Sequence, residues 1–408
     1  MSLVPSEPWR RNQLVMVATV FVVFTGFAFV LPFLPLYVSE LGVDRPERAA
    51  LWAGVLIGIA PLLAGLLAPA WGHLGDRYGQ KGIAIKALLA YVVLLVLSSL
   101  VTSVGQLLAL RIGVGLFGGI GPLGLAMATS LAPREETGRA VGLVQAAQIL
   151  AAAVGPLAGG LLADAVGMRQ TFLATAALCA LALLLVVRFY QEAPRPATAD
   201  AAARGGFLDV LRVPAAPSLL AVLFLVNFIG RSFTPILPLH LQGLGVVPGR
   251  LAFSTGVLIS VYSVAAALSA TVLGRASRIY SPRALLFMSL LGGALSVLPM
   301  GRVASFPGLL GLATLLGLVS GGALTLCYTI GGLLVPAEHR TTAFGFFSGA
   351  ALFGGAVSPS FAGLIAHWEL RGIYYVDALL FAALAAFLPR GLKGTASSLG
   401  TTEVRIAG

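Results

Sequence analysis

Twelve apolar runs, parted by short polar breaks, fill the chain between residues 14 and 390. They lie at roughly 14–38, 49–71, 82–101, 106–130, 139–163, 170–189, 218–241, 252–274, 284–301, 307–333, 341–366 and 372–390. Most reach the roughly 20 residues that a helix needs to cross the hydrocarbon of a bilayer. Backbone polar groups cannot be left unpaired there, so each run predicts a helical span and the whole predicts an all-α membrane protein. The first run follows Trp9-Arg10-Arg11 and lacks a small-residue cleavage site. At about 25 residues it is too long for a signal-peptide core and predicts a retained span.

The longest break, 190–217, reads as a linker, because the stretch 194–206 (Pro-Arg-Pro-Ala-Thr-Ala-Asp-Ala-Ala-Ala-Arg-Gly-Gly) has little to bury. Phe207, Leu208 and Leu211 alternate there with Asp209 and Arg212, which suits a short helix lying on the membrane surface. The linker divides the chain into a first half (1–189), itself (190–217), a second half (218–390) and a polar tail (391–408). The halves repeat at an offset of about 203 residues. Pro32-Phe33-Leu34-Pro35-Leu36 returns as Pro235-Ile236-Leu237-Pro238-Leu239, Leu131-Ala132-Pro133 as Leu334-Val335-Pro336, Gly142 as Gly345, and Pro156 as Pro359. Apolar agreement comes easily by chance, but prolines and glycines at one offset do not.

Composition narrows the class. The chain is 58% hydrophobic and 10% charged, with a mean hydropathy of +0.96, too little charge to cover a water-soluble surface. Its net charge of +11 is carried by basic residues scattered singly through loops, with no basic stripe or stacking platform for nucleic acid. Placed by the positive-inside rule, they put both termini and the linker in the cytoplasm of a multi-pass protein of the plasma membrane, in a bacterium the inner membrane. Cys179 and Cys327 fall in apolar runs and imply neither a disulfide framework nor a metal site. The four histidines lie near span ends without a cluster, so no cofactor, metal centre or catalytic set is expected, and a membrane-embedded enzyme is a remote alternative. A non-transporting sensor is another, for which a long soluble domain would argue.

The stretch Gly72-His73-Leu74-Gly75-Asp76-Arg77-Tyr78-Gly79-Gln80-Lys81 separates the second and third runs and reads as a tight polar turn. It resembles the Gly-x-Leu-Ala-Asp-Arg-x-Gly-Arg-Lys signature of the major facilitator superfamily, departing from it at Gly75 and Gln80. The resemblance implies twelve helices in two six-helix halves about a pseudo-two-fold axis, with a substrate site between them. It also implies a gate, to which Gly72, Asp76, Arg77, Gly79 and Lys81 belong, with Asp76 facing the start of the eleventh helix at Thr341 and Thr342. The second-half counterpart, Gly274 to Arg283, carries Arg278 where the carboxylate would stand, so the two gates are unequal.

Gly155, Pro156, Gly159 and Gly160, in the fifth span, resemble the antiporter element of the superfamily's drug:proton exporters, with Ala151 in place of its first glycine. The other reading is a kinked packing helix. Arg111 opens an Arg-x-x-x-Gly element in the fourth span, a coupling candidate on the same resemblance or an arginine reaching for the interface. Asp377, in the last span, is the other coupling candidate. Asn227, Arg231 and Thr234 stand at i, i+4 and i+7 of the seventh span and predict a polar stripe facing a cavity. Arg231 is either a ligand for anions or a structural arginine bonded to carbonyls freed near Pro235. Phe27, Gln145, Gln148, Tyr328 and Phe347 complete the expected substrate cavity. The resemblance implies a secondary transporter exporting small amphipathic or drug-like molecules, expected as a monomer, with protons and the lipid bilayer as its other partners. The alternative is an organic-anion carrier centred on Arg231.

Overall fold

The computed structural model describes residues 7–118, 120–129, 133, 136–192, 216–335 and 340–391. Helices occupy nearly all of them. In the first half these are α1 (Pro8–Val30), α2 (Leu34–Glu40), α3 (Pro46–Tyr78), α4 (Gln80–Leu100), α5 (Val104–Leu116), α6 (Ile120–Thr129), α7 (Thr137–Val166) and α8 (Met168–Phe189). In the second they are α9 (Ala216–Ser232), α10 (Leu237–Gly243), α11 (Leu251–Ala276), α12 (Pro282–Val297), α13 (Phe306–Ser320), α14 (Ala323–Leu334), α15 (Arg340–Ala366) and α16 (Gly372–Gly391).

Every expected span is met by helix. Among the described residues, nine stretches are long and apolar enough to cross a membrane, and the broken pair α9 and α10 makes a tenth. The fourth and last runs hold the shorter apolar helices α5 and α16. The surface is apolar as a lipid-facing surface must be: Leu66, Leu100, Leu184, Leu295 and Leu379 are all exposed.

Proline and glycine set the interruptions. The first span breaks at the 3-10 turn Leu31–Phe33, which contains Pro32, and the seventh at residues 233–236, which contain Pro235. Proline has no N–H to donate, so the helical hydrogen-bond ladder loses a rung at each of these positions. One expectation is corrected. The stretch from Gly72 to Lys81 is not an open turn: α3 runs on to Tyr78, α4 starts at Gln80, and Gly79 alone lies between them. Gly79 has φ 98°, a conformation that side-chain-bearing residues resist, so one glycine reverses the chain where a loop was expected.

The helices form two compact units. The first comprises Met1–Ala197, Thr234–Ser263 and Pro359–Leu370. In it α1 packs along α7 and α8, and α4 along α8. Tyr37 is fully buried against Phe172, ring centroids 5.1 Å apart, and its hydroxyl donates to the Ser98 carbonyl at 3.0 Å. The second unit comprises Thr198–Phe233, Val264–Ser358 and Arg371–Gly408. There α12 packs on α16 and α13, while α9 packs on α14 and α16. The linker from residue 193 to 215, its expected surface helix and the tail after 391 lie outside the described residues.

Candidate functional site

The antiporter-like element of α7 is a two-sided contact surface within the first unit. Gly155, Pro156, Gly159 and Gly160 are all buried. A Cβ at Gly155 would stand 2.5 Å from the Ala28 Cβ, and one at Gly159 2.4 Å from the Phe29 Cα, so these glycines hold α7 against α1. Gly160 turns to α11, where a Cβ would meet the Ala252 carbonyl oxygen at 2.4 Å. From the other side, a Cβ at Gly256 would meet the Pro156 carbonyl oxygen at 2.2 Å. Backbone on backbone at this range is how membrane helices associate without a hydrophobic driving force. A carboxylate closes this seam. Asp164, one turn beyond Gly160, accepts from the backbone N–H groups of Ala252 at 3.2 Å and Phe253 at 2.7 Å. Those amides belong to the first turn of α11, where helix N–H groups have no partner within the helix and favour negative charge.

A second seam, unforeseen from the sequence, joins α3 to the part of α15 in the same unit. A Cβ at Gly54 would stand 2.2 Å from the Pro359 carbonyl oxygen, and one at Gly363 2.6 Å from that of Ala50. The Ser360 hydroxyl donates to the Gly54 carbonyl at 3.2 Å.

Arg111 is buried, 3% exposed, and its Nε donates to the Leu56 carbonyl of α3 at 2.9 Å. Tyr91 is its electrostatic neighbour and meets Phe27 edge-on at 5.1 Å. The structure therefore groups Phe27 with the surroundings of Arg111. Gln145 is exposed and Gln148 half-buried, one turn apart on α7.

In the second unit Asn227 and Arg231 lie one turn apart on α9 and face α15. A Cβ at Gly355 would come within 3.0 Å of Asn227 Oδ1 and 3.5 Å of Arg231 Cγ. The expected stripe stops there: α9 ends at Ser232, and Thr234 falls in the break before Pro235, off the helix whose spacing it was meant to continue. Tyr328 stacks on Phe344 at 5.8 Å and its hydroxyl donates to Ser348 Oγ at 3.4 Å. Phe347 is fully buried against Phe344 and Gly331. Asp377 is fully buried on α16, and the Ser232 hydroxyl meets its Oδ2.

Of the expected gate, the backbone of α3, Gly79 and Lys81 is described. The side chains of Asp76, Arg77, Thr341 and Thr342, and the surroundings of Gly72, lie outside the described residues. Lys81 is tied to the end of α8: its Nζ donates to the carbonyls of Val187 at 3.1 Å and Tyr190 at 2.7 Å. Glu192 accepts from the backbone N–H of Gln80 at 2.8 Å and so caps α4.

The comparisons with known proteins agree with this architecture. The family model of the Major Facilitator Superfamily matches residues 16–254 and 249–403. Multidrug resistance protein MdtG of Escherichia fergusonii is 33% identical over 382 residues, 91% of each chain. MdtG of Enterobacter lignolyticus is 30% identical over 398 residues, 96% of this chain and 94% of the relative. Among solved structures, a bacterial homologue of the human lysosomal transporter Spinster, inward-facing and occupied, superposes with a TM-score of 0.79 at 18% identity. It covers 95% of this chain and 98% of its own. A D-xylose–proton symporter superposes with a TM-score of 0.73 at 16% identity, over 92% and 96%.

Proposed function

We propose that this chain, which belongs to the Major Facilitator Superfamily, exports small amphipathic or drug-like molecules across the bacterial inner membrane in exchange for protons. It is a secondary transporter of the multidrug kind, not an enzyme. Export proceeds by alternating access: the two sequence halves rock about a midplane site, and seams between them part and re-form. The observation that carries this reading is the two-sided face of α7. It fastens the first half to itself through Gly155 and Gly159, and to α11 of the second half through Pro156 and Gly160. A helix so placed couples movement of α11 to the helices of the first half.

In this reading both termini and the linker are cytoplasmic, and Asp76, with Gly72, Arg77, Gly79 and Lys81, forms the inner gate against Thr341 and Thr342. Arg111 and Asp377 serve coupling. Phe27, Gln145, Gln148, Asn227, Arg231, Thr234 and Tyr328 supply the polar and aromatic contacts of the substrate path. The test is transport into proteoliposomes of a panel of cationic, neutral and anionic compounds, with and without an imposed pH gradient. The gradient should accelerate transport of cationic and neutral drugs by the wild-type protein, and Arg231→Gln should spare them. A second reading, an organic-anion carrier, draws on Arg231 and Asn227 presented together toward Gly355. It gains if anions alone are carried, if Arg231→Gln abolishes their transport, and if Arg231→Lys keeps part of it by retaining charge without the bidentate fork. Equal loss across the panel would make Arg231 structural.

A further inference from the structure

Asp377 and Ser232 meet at a joint that packing alone does not require. Ser232 is the last residue of α9, immediately before the break in the seventh span, and Asp377 stands about 8 Å along α16 from its start. Both are fully buried. The first half makes the equivalent joint, about 203 residues earlier in the chain, without a charged group. There the Thr175 hydroxyl of α8 has two carbonyls within 2.9 Å, that of Gly26 on α1 and that of Thr171 on its own helix. A neutral hydroxyl thus suffices to hold a last helix of a half against its first. The second half places a carboxyl there instead.

Counting hydrogens shows what the carboxyl does. The Ser232 hydroxyl has one hydrogen and two acceptors within reach, the Ile229 carbonyl at 2.9 Å and Asp377 Oδ2. If that hydrogen goes to Ile229, the contact with Asp377 needs a hydrogen on the carboxyl. Asp377 Oδ1 has no hydrogen-bond partner among the described residues, so an ionised carboxylate here would rest on a single hydroxyl. Segment 285–297 of α12 has no titratable side chain. Arg302 ends the 3-10 turn Leu298–Arg302 and is exposed. Arg231, next to Ser232 on α9, has its Cγ 3.5 Å from where a Cβ at Gly355 would stand. On the chain of α16 itself, Tyr374 is a buried phenol, Tyr375 lies against Gly301, and Arg371 precedes the helix.

We propose that Asp377 is the proton-binding site of the exchange and that Ser232 reports its state to the break in the seventh span. The proposal rests on the proton-exchange reading above and names its site. In the loaded state the Asp377 acid donates to Ser232 Oγ, which donates to Ile229. On unloading, the acid O–H bond breaks and the proton leaves to water. The Ser232 hydrogen then swings from the Ile229 carbonyl to the new carboxylate, which draws water and loosens the α9 end. No other bond changes.

The test has two parts, both on the full-length protein in lipid. Infrared difference spectra between acid and alkaline pH should show the C=O band of a protonated carboxyl that is absent in Asp377→Asn and shifted in frequency in Ser232→Ala. In proteoliposomes, ethidium, or whichever compound of the panel the wild-type protein carries, should be driven by a pH gradient in the wild type. In Asp377→Asn it should lose that response while gradient-free exchange continues. Asp377→Glu, which keeps an acid, should retain gradient-driven transport with a displaced pH profile, and it carries the test if Asp377→Asn does not reach the membrane folded. Gradient-driven transport in Asp377→Asn, or the same band in that variant, would overturn the site while leaving proton exchange standing. A wild-type protein indifferent to the gradient would overturn the exchange reading and this site with it. An unchanged band and pH profile in Ser232→Ala would remove Ser232 from the mechanism.

Discussion

Helix α7 meets α11, and α15 meets α3, through nearly the same backbone geometry, yet the two seams are closed by different chemistry. In each, the carbonyl of a helix-interior proline, Pro156 or Pro359, faces a glycine at a distance that admits no side chain, Gly256 or Gly54. In each, a glycine one turn later, Gly160 or Gly363, lies on the carbonyl of an alanine, Ala252 or Ala50. The repeat of the chain therefore extends to atomic contacts. Beyond the second glycine the likeness ends. The first seam has Asp164 clamped to two amides of α11, whereas the second has His367 at the corresponding place, exposed. Across the helices of the second seam, Ser360 gives Gly54 a neutral bond instead. Close backbone approach is thus the shared requirement of both seams, and charge is an addition to one of them.

The sharpest way to break this comparison is to fill the seams. Gly256→Ala and Gly54→Ala each set a methyl group against a proline carbonyl at 2.2 Å, and overpacking of this kind costs about 1–3 kcal/mol. Both variants should insert normally and lose most transport, measured in vesicles at equal protein. Wild-type rates in either would show that its seam yields without consequence. Removing the clamp comes next. Asp164→Asn loses charge-assisted bonds worth about 1.5–3 kcal/mol and should lower both transport rate and thermal stability, while His367→Ala should change neither. Equal effects from the two would erase the asymmetry. The smallest change is Ser360→Ala, which removes a neutral bond worth about 0.5–1.5 kcal/mol; a small drop in melting temperature with transport nearly intact is expected.

These contacts also mark the limit of what could be read from the sequence. The spans were legible because hydrocarbon demands long apolar runs, but the breaks inside the first and seventh spans, at Pro32 and Pro235, were not read from them. The element from Gly155 to Gly160 was legible by resemblance. Its partners were not: a glycine such as Gly54 or Gly256 inside an apolar run does not say which backbone it faces. Asp164 reads as an ordinary polar residue near a span end until α11 is placed against it. Ser232 and Asp377 are far apart in sequence, and nothing local to either announces the joint. The offset of about 203 residues was the unused signal. It pairs Pro156 with Pro359 and also Gly160 with Gly363, enough to have predicted the second seam. Reading Thr234 onto the Asn227–Arg231 face failed for a local reason, since helical spacing was carried across the residue that precedes Pro235.

The central claim is that the seam between α7 and α11 must part for transport to occur, and the direct measurement is to stop it from parting. Asp164→Cys with Phe253→Cys sets thiols on two residues that already meet, the Asp164 carboxylate lying 2.7 Å from the Phe253 backbone amide. The native cysteines Cys179 and Cys327 are buried and remain out of reach. A short, cleavable thiol-bridging reagent should link the pair, and the bridged protein should bind its substrate but not carry it. Cleaving the bridge should restore transport to the rate of the unbridged double variant. Transport at the unbridged rate with the bridge intact would contradict the account.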